Sequence, residues 1–305
     1  MTLQQLKYVI EVARSRSISK AAQNLFISQP SLSNALKELE KEIGITIFSR
    51  TNRGIIITPE GSEFLQYARQ VIEQTDLLEN RYSNTQSPQH HFSVSAQHYA
   101  FAVSAFVRLL SDYDSDEYEF ALRETKTYEI IEDVKNLRSE IGIIYVNDFN
   151  RKVIQKFLRE GNLMFHELFV AKPHVFISSK NPLVKQDYVT LSDLEPYPYL
   201  SFEQGDYNSF YFSEEILSTI SRKKNIRVSD RATLFNLLIG LNGYTISTGI
   251  ISYDINDDDI VAVPLKVDEL ITVGFITHKH VSNSPLATIY IQYLRETIET
   301  EQLLP

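Results

Sequence analysis

The chain has 305 residues, no cysteine and a formal net charge of −9. Its length implies two or three domains. The missing cysteines exclude disulfides, thiolate metal sites and cysteine nucleophiles, and no run approaches the about 18 apolar residues of a membrane helix. The charge is unevenly divided. Residues 1–58 hold eight Lys and Arg against four Asp and Glu, a net +4, while the remainder holds 22 against 35, a net −13. A basic head on an acidic body implies that only the head would meet nucleic acid. No signal peptide precedes the first helix, so a soluble, cytoplasmic protein is expected.

Leu3, Leu6, Ile10 and Ala13 form the buried stripe predicted for the first helix. The stretch Ser17–Gly44, SISKAAQNLFISQPSLSNALKELEKEIG, then reads as a helix, a tight turn and a second helix. Ser19 is the expected N-cap of the first of these, and Ala21, Ala22 and Leu25 its inward side, small enough to let a neighbouring helix cross closely. Ser28 is placed to cap the second, with Gln29 and Pro30 in its first turn, where Pro costs little. Leu32, Leu36, Leu39 and Ile43 recur at spacings of four, three and four and form its inward stripe. Gln29, Ser33 and Lys37 fall on the opposite face, with Ser31 and Asn34 beside it. A face of amides and hydroxyls suits the major groove, where Gln and Asn pair with adenine edges and Ser serves base or phosphate. A merely solvated face is the competing reading. Two short β-prone runs follow around Arg50, Thr51, Asn52, Arg53 and Gly54. They predict a winged hairpin with Arg50 and Arg53 at its tip, placed for phosphates or the minor groove.

Pro59 and Glu60 open a helix predicted to run to about Tyr82. Phe64, Ala68, Val71, Thr75, Leu78 and Tyr82 alternate four and three apart along it, a coiled-coil-like dimerisation seam. Packing of that helix on its own domain is the alternative. The polar stretch Ser83–His91 reads as a hinge. From Phe92 strands alternate with helices, which argues for covered parallel sheet. FSVSAQ, EFALRE and IGIIYV are predicted strands, separated by helices around Ala102–Leu110 and Tyr128–Arg138. LFVAKPHVFISS, YPYLSF, NIRVS and YTISTG form a second strand set, with helices near Phe212–Ser221 and Ala232–Leu241. IVAVPL and ITVGFITHK lead to a closing helix, Pro285–Glu299. A chain that leaves one α/β unit, builds another and returns makes two lobes around a cleft.

The order of a Leu-rich helix, AA-x-x-L, SQPSLS, LE-x-x-x-G, F-x-R and T-x-x-G closely resembles the N-terminal domain of LysR-type transcriptional regulators. The resemblance extends over essentially the whole chain. It implies a winged helix-turn-helix over 1–58, a linker helix over 59–84, a hinge over 85–91 and a periplasmic-binding-protein-like effector domain over 92–305. Lobe one would comprise 92–161 and 267–305, and lobe two 162–266. The implied protein binds double-stranded DNA as a dimer or a dimer of dimers and answers to a small-molecule effector. It needs no cofactor and meets no membrane. Two recognition helices would be presented to half-sites about 34 Å apart or a multiple of that.

Ligands of open α/β sheets sit beyond the carboxyl ends of strands. That rule selects Ala96, Gln97, His98 and Tyr99 after the first strand of lobe one, and Thr125 after the second. In lobe two it selects Ser201, Phe202, Glu203 and Gln204, with Ser247 and Thr248 facing across. The family binds small metabolites in this region. A free helix N-terminus near Tyr99 opposite the Glu203 carboxylate would suit an amino acid or a close derivative. Other constellations carry less. The acidic run Asp254, Asn256, Asp257, Asp258 and Asp259 lacks the Gly and Glu of a calcium loop and reads as solvated. His90 and His91 have no partner pair at zinc spacing. Arg222, Lys223 and Lys224 read as cations at a helix end. Gly240, Gly243 and Gly249 do not match a nucleotide loop. With no GxSxG or SxxK motif and no acid–base pair, an enzyme is not expected. A solute-binding protein of the same two-lobed fold is the rival, disfavoured by the basic head.

Overall fold

A computed structural model describes residues 1–51, 54–83, 90–115, 117–207, 209–251 and 259–302. The chain divides into two compact units, Met1–Pro88 and Gln89–Pro305. Among the described residues no helix is long and apolar enough to cross a membrane.

In the first unit, α1 (Leu3–Ser15) opens on a capping box. Thr2 Oγ1 accepts from Gln5 N at 3.2 Å, and Gln5 Oε1 accepts from Thr2 N at 2.8 Å. Its buried stripe is Leu6, Val9, Val12 and Ala13, whereas Leu3 is exposed and Ile10 half-buried. The expected stripe was therefore one helical face out of phase at both of those positions. α2 (Ile18–Asn24) is capped by Ser17, whose side chain accepts from Lys20 N. Ser19, the cap expected from sequence, is the second residue of the helix and instead donates to Gln29 Oε1 at 2.9 Å. Ala21 and Ala22 are buried and let α3 (Gln29–Ile43) pack close. Leu32, Leu36 and Leu39 line the core side of α3, each burial contributing about 1.5–3 kcal/mol. Gly44 ends the helix in the left-handed region at φ 75°, where a side chain would be strained. β1 (Phe48–Thr51) and β2 (Gly54–Ile57) pair antiparallel, with Phe48 opposite Ile57. α4 (Pro59–Ser83) begins beside the strand, and a Cβ on Gly61 would lie 2.3 Å from the Ile47 carbonyl oxygen.

The second unit runs β3 (His90–Ala96), α5 (Ala100–Ser111), β4 (Tyr118–Glu124), α6 (Thr127–Lys135), β5 (Ile141–Val146), α7 (Arg151–Glu160) and β6 (Leu163–Ala171). It continues with β7 (His174–Ser178), α8 (Leu191–Leu194), β8 (Tyr199–Phe202), β9 (Asn225–Val228), α9 (Arg231–Leu241), β10 (Tyr244–Ser247), β11 (Ile260–Pro264), β12 (Ile271–His278) and α10 (Pro285–Gln302). The first sheet has the order β4-β3-β5-β12-β6 and the second β11-β7-β10-β8-β9. β3 lies parallel to β4 and β5, while β12 is antiparallel to β5 and β6. The lobe boundary expected at 162 is corrected by this pairing. β6 hydrogen-bonds along its length to β12 in the first sheet, so the crossing to lobe two comes at Lys172–Pro173. Pro173 also divides the single strand expected there into β6 and β7, because it offers no N–H to a ladder. α7 carries no counterpart among the predicted elements.

The helix expected near Phe212–Ser221 does not form. A 3₁₀ turn at Phe210–Phe212 is followed by irregular turns, and Leu217 is left-handed at φ 57°. Side chains replace the helical ladder there. Arg222 Nη1 donates to the carbonyls of Leu217 (3.0 Å) and Ile220 (3.1 Å), and Glu215 Oε1 accepts from Phe202 N (2.9 Å). Arg222–Lys224 therefore does not sit at a helix end.

Candidate functional site

Two surfaces concentrate unusual polar groups. The first is the outer face of α3. Ser28 caps it, accepting from Ser31 N at 3.2 Å, and the two hydroxyls lie 2.7 Å apart. Gln29, Pro30, Ser31, Asn34 and Lys37 are exposed, and Ser33 is half-buried. They stand opposite a stripe that is wholly buried, so the helix offers its polar side away from its own core. Phe26, in the turn just before α3, is 95 % exposed and left-handed at φ 55°. Arg50 sits on β1, opposite Ile55 in register; its side chain, and Arg53 altogether, lie outside the described residues.

The second surface is a cleft in the Gln89–Pro305 unit. His98, in the turn between β3 and α5, stacks on Phe202 at the end of β8, with ring centroids 3.8 Å apart and planes 6° from parallel. Glu214 Oε2 accepts from the His98 main-chain N–H at 3.1 Å and lies 2.9 Å from its Nδ1, which must carry the proton. Both side chains are almost fully buried. Burial alone would depress the imidazole, but the hydrogen bond and charge of Glu214 outweigh it and hold His98 above the ordinary histidine range. Gln204 continues the chain of bonds, donating to Glu214 Oε1 (3.2 Å) and accepting from Thr127 N (3.1 Å). Alongside, Arg231 Nε at the start of α9 faces Glu124 Oε1 at the end of β4 across 3.3 Å. Three polar joints thus tie lobe one to lobe two. Between them lies a cavity of about 40 Å³, room for about three waters. Phe176, Leu234, Phe235, Ile246, Ile250 and Ile251 supply its apolar wall. Glu215 also lines it. Its burial, and then the charge of Glu214, push that carboxyl up to about 8.

The fold around these surfaces has known relatives. Residues 3–62 match the family model described as bacterial regulatory helix-turn-helix protein, lysR family, and residues 86–299 match the LysR substrate binding domain. The chain belongs to the LysR family. It is a DNA-binding transcriptional regulator with a C-terminal effector-binding domain. The uncharacterized regulator YcgK of Bacillus subtilis is 38 % identical over 95 residues, 31 % of this chain and 29 % of that protein's length. The uncharacterized regulator YnfL of Escherichia coli is 27 % identical over 227 residues, 72 % of this chain and 71 % of its own. The structure of a Corynebacterium glutamicum OxyR C206 mutant superposes with a TM-score of 0.51 at 19 % identity, covering 98 % of this chain and 92 % of that one. That likeness is one of fold.

In this LysR-family regulator the residues chosen from strand ends divide sharply. His98, Tyr99, Phe202 and Ser247 line the cavity. Ala96 and Gln97 are buried beneath it, and the Gln97 amide is spent on Thr127 Oγ1 (2.6 Å) and Tyr145 N (2.9 Å). Thr125 bonds to Glu129 in a separate surface groove. Ser201 is half-buried off the cavity, and Thr248 Oγ1 accepts from Ile250 N at 3.4 Å. Glu203, the carboxylate expected to meet a ligand, is exposed and does not line the cavity. Its N–H donates to Val228 O at 2.9 Å, continuing the pairing of β8 with β9. Gln204 serves as a tie between lobes instead.

Sequence reasoning missed the apolar wall and the charged cleft residues Glu124, Glu214, Glu215 and Arg231. Glu214 and Glu215 were hidden inside a stretch with helical spacing. Arg231 did leave a signal. Asp230 caps α9 by accepting from Thr233 N at 2.8 Å, and a cation immediately after a helix cap opposes the macrodipole unless an acid faces it. The seam on α4 is also divided. Phe64 packs on the first unit's core and Ala68 is buried there, beside Leu65. Val71 and Leu78 are exposed, Thr75 is half-buried with its hydroxyl on Val71 O (2.8 Å), and the Tyr82 side chain lies outside the described residues. Asp254, Asn256, Asp257 and Asp258 also lie outside them, as does the His90 side chain, and among the described residues no cluster is arranged to hold a metal ion.

Proposed function

We propose that α3 reads base edges in the major groove through Gln29, Ser33 and Asn34, with Ser28, Pro30, Ser31 and Lys37 around them. Arg50 and Arg53 of the wing hold phosphates or the minor groove. The carrying observation is the exposed polar face opposite buried Leu32, Leu36 and Leu39. Gln29 adds to it, because Ser19 already donates to its amide oxygen and leaves Nε2 to donate to an acceptor on a base. Val71 and Leu78, exposed on α4, support self-association of two chains or two pairs, and hence paired half-sites. The cleft holds a small-molecule effector, an amino acid or related metabolite, and the protein acts in the cytoplasm.

Binding measured across a randomised site library at several salt concentrations tests the reading. Gln29→Ala and Asn34→Ala each lose about 1–3 kcal/mol of discrimination at the base they contact. Arg53→Ala weakens all sequences alike and flattens the salt dependence. Val71→Asp with Leu78→Asp keeps single half-site preference and loses tight binding to two. Unchanged base preference in both α3 variants removes that helix as the reader.

A further inference from the structure

Most charges in the cleft find a partner, and Glu215 and Arg231, which both line the cavity, are left the least satisfied among its lining residues. Glu214 is fully matched by His98 and Gln204. Its carboxylate also holds the His98 main-chain N–H, two residues ahead of α5. Glu215 has no such partner. It is 3 % exposed and lines the cavity, and the Phe202 N–H is the only donor from another residue to its carboxyl among the described residues. Arg222, the remaining cation that acts on it, lies off the cavity, stacked 3.8 Å over Tyr199 and donating through Nε to Tyr244 Oη, and makes no hydrogen bond to Glu215 among the described residues. On the cavity's other charged side chain the imbalance has the opposite sign. Arg231 faces Glu124 through Nε, and its Nη1 is buried without a hydrogen-bond partner among the described residues.

A buried acid without a cation keeps its proton at neutral pH and releases it when a ligand's ammonium comes beside it, while a buried guanidinium donor without an acceptor costs free energy that a ligand can recover. A cation alone would satisfy one and an anion the other. A zwitterion satisfies both, and the apolar wall selects what it carries. Resting on the reading of this cleft as the effector site, we propose that its effector is an α-amino acid with an apolar side chain. Its ammonium sits on Glu215, its carboxylate on Arg231, and its side chain against Phe176, Leu234 and Phe235. The cavity is smaller than such a molecule, so the lobes part to admit it. The joints that yield are His98–Glu214, Gln204–Thr127 and Glu124–Arg231.

Calorimetry on the full chain tests this with ligands cut at either end: L-leucine, 3-methylbutylamine and 4-methylpentanoate, then L-phenylalanine with its amine and acid counterparts. The amino acid of at least one set binds about tenfold or more tightly than both of its truncated forms, the scale of a hydrogen bond to a charged group. Glu215→Gln, which keeps the shape and the acceptor for Phe202, narrows the gap between amino acid and acid to within about threefold. Arg231→Gln does the same for the gap between amino acid and amine. The truncated ligands make the comparison on unaltered protein, so it stands even where a variant folds poorly. An amine or acid that binds as tightly as its amino acid overturns the proposal, as does binding by none of them. Ser247→Phe, which fills the cavity, separates the two levels. Amino-acid binding that survives it unchanged shows that the cleft is not the site. Loss of binding there, with unaltered preferences in Glu215→Gln and Arg231→Gln, overturns the amino-acid assignment alone.

Discussion

The outer face of α3 and the cleft of the second unit both concentrate polar groups, yet they are assembled in opposite ways. α3 presents Gln29 to Lys37 from a run of nine residues, positioned by one helix and its own cap. The cleft gathers His98, Glu124, Phe202, Glu214, Arg231 and Ser247 from six separated segments, each carried in by a different strand end or turn. A surface made from one helix inherits its geometry from 3.6-residue periodicity, so a change in the core beneath it acts by tilting or unfolding the helix. A surface made across two lobes is held by its own polar joints. Those joints carry both its shape and its response to charge.

The largest expected effect breaks the first surface without touching the second. Leu32→Ala removes a fully buried side chain from α3 and costs about 2–5 kcal/mol. Hydrogen exchange then shows lost protection over 1–88 and unchanged protection over the two α/β sheets. Loss in both regions would mean that the units do not fold separately.

The next effect belongs to the cleft and to pH. His98, Glu124 and Glu215 all titrate above their ordinary ranges in the folded protein: His98 through Glu214, which overcomes burial, and the two acids through burial. For groups raised in this way, folding is favoured below the unfolded value and loses that advantage as pH rises through the folded one. The second unit should therefore lose about 1–3 kcal/mol between about pH 5 and pH 8. Glu215→Gln removes the larger part of that slope, read as melting temperature against pH. In the first unit the Glu11 carboxyl is held below its ordinary range by hydrogen bonds from Asn24 and Ser15, a shift whose effect falls at more acid pH, so residues 1–88 should melt with little slope over the same range. A slope equal in wild type and Glu215→Gln would place the pH response elsewhere.

The smallest effect is local to the first surface. Phe26 stands 95 % exposed in the left-handed region, a conformation that Asn tolerates better. Phe26→Asn should stabilise the first unit by about 1 kcal/mol, read by denaturant titration. No gain would show that the ring is held by contacts that offset the backbone strain.

The helix-turn-helix was legible because its signals are short-range. Ser28, the leucines of α3 and Gly44 each report a backbone requirement within one turn of themselves. Even there a neighbour could win. Ser17 takes the cap that Ser19 was expected to fill, because Ser19 turns to Gln29, ten residues away. On α4 the heptad spacing was correct as a pattern but silent on depth, and the first turns bury Leu65 and Ala68 in their own domain.

The sequence by itself determined a basic head with a capped amphipathic helix, a long helix after it and an α/β body of alternating elements. Each follows from periodicity, composition or a cap read over a few residues. Only the tertiary structure decided which lobe owns β6, that 212–221 is not a helix, and that Glu214, Glu215 and Arg231 rather than Glu203 face the cavity. Those outcomes depend on pairing between segments tens to more than a hundred residues apart, such as His98 with Glu214 and Glu124 with Arg231. A buried charge finds its partner wherever the fold brings one, and no local spacing records the distance.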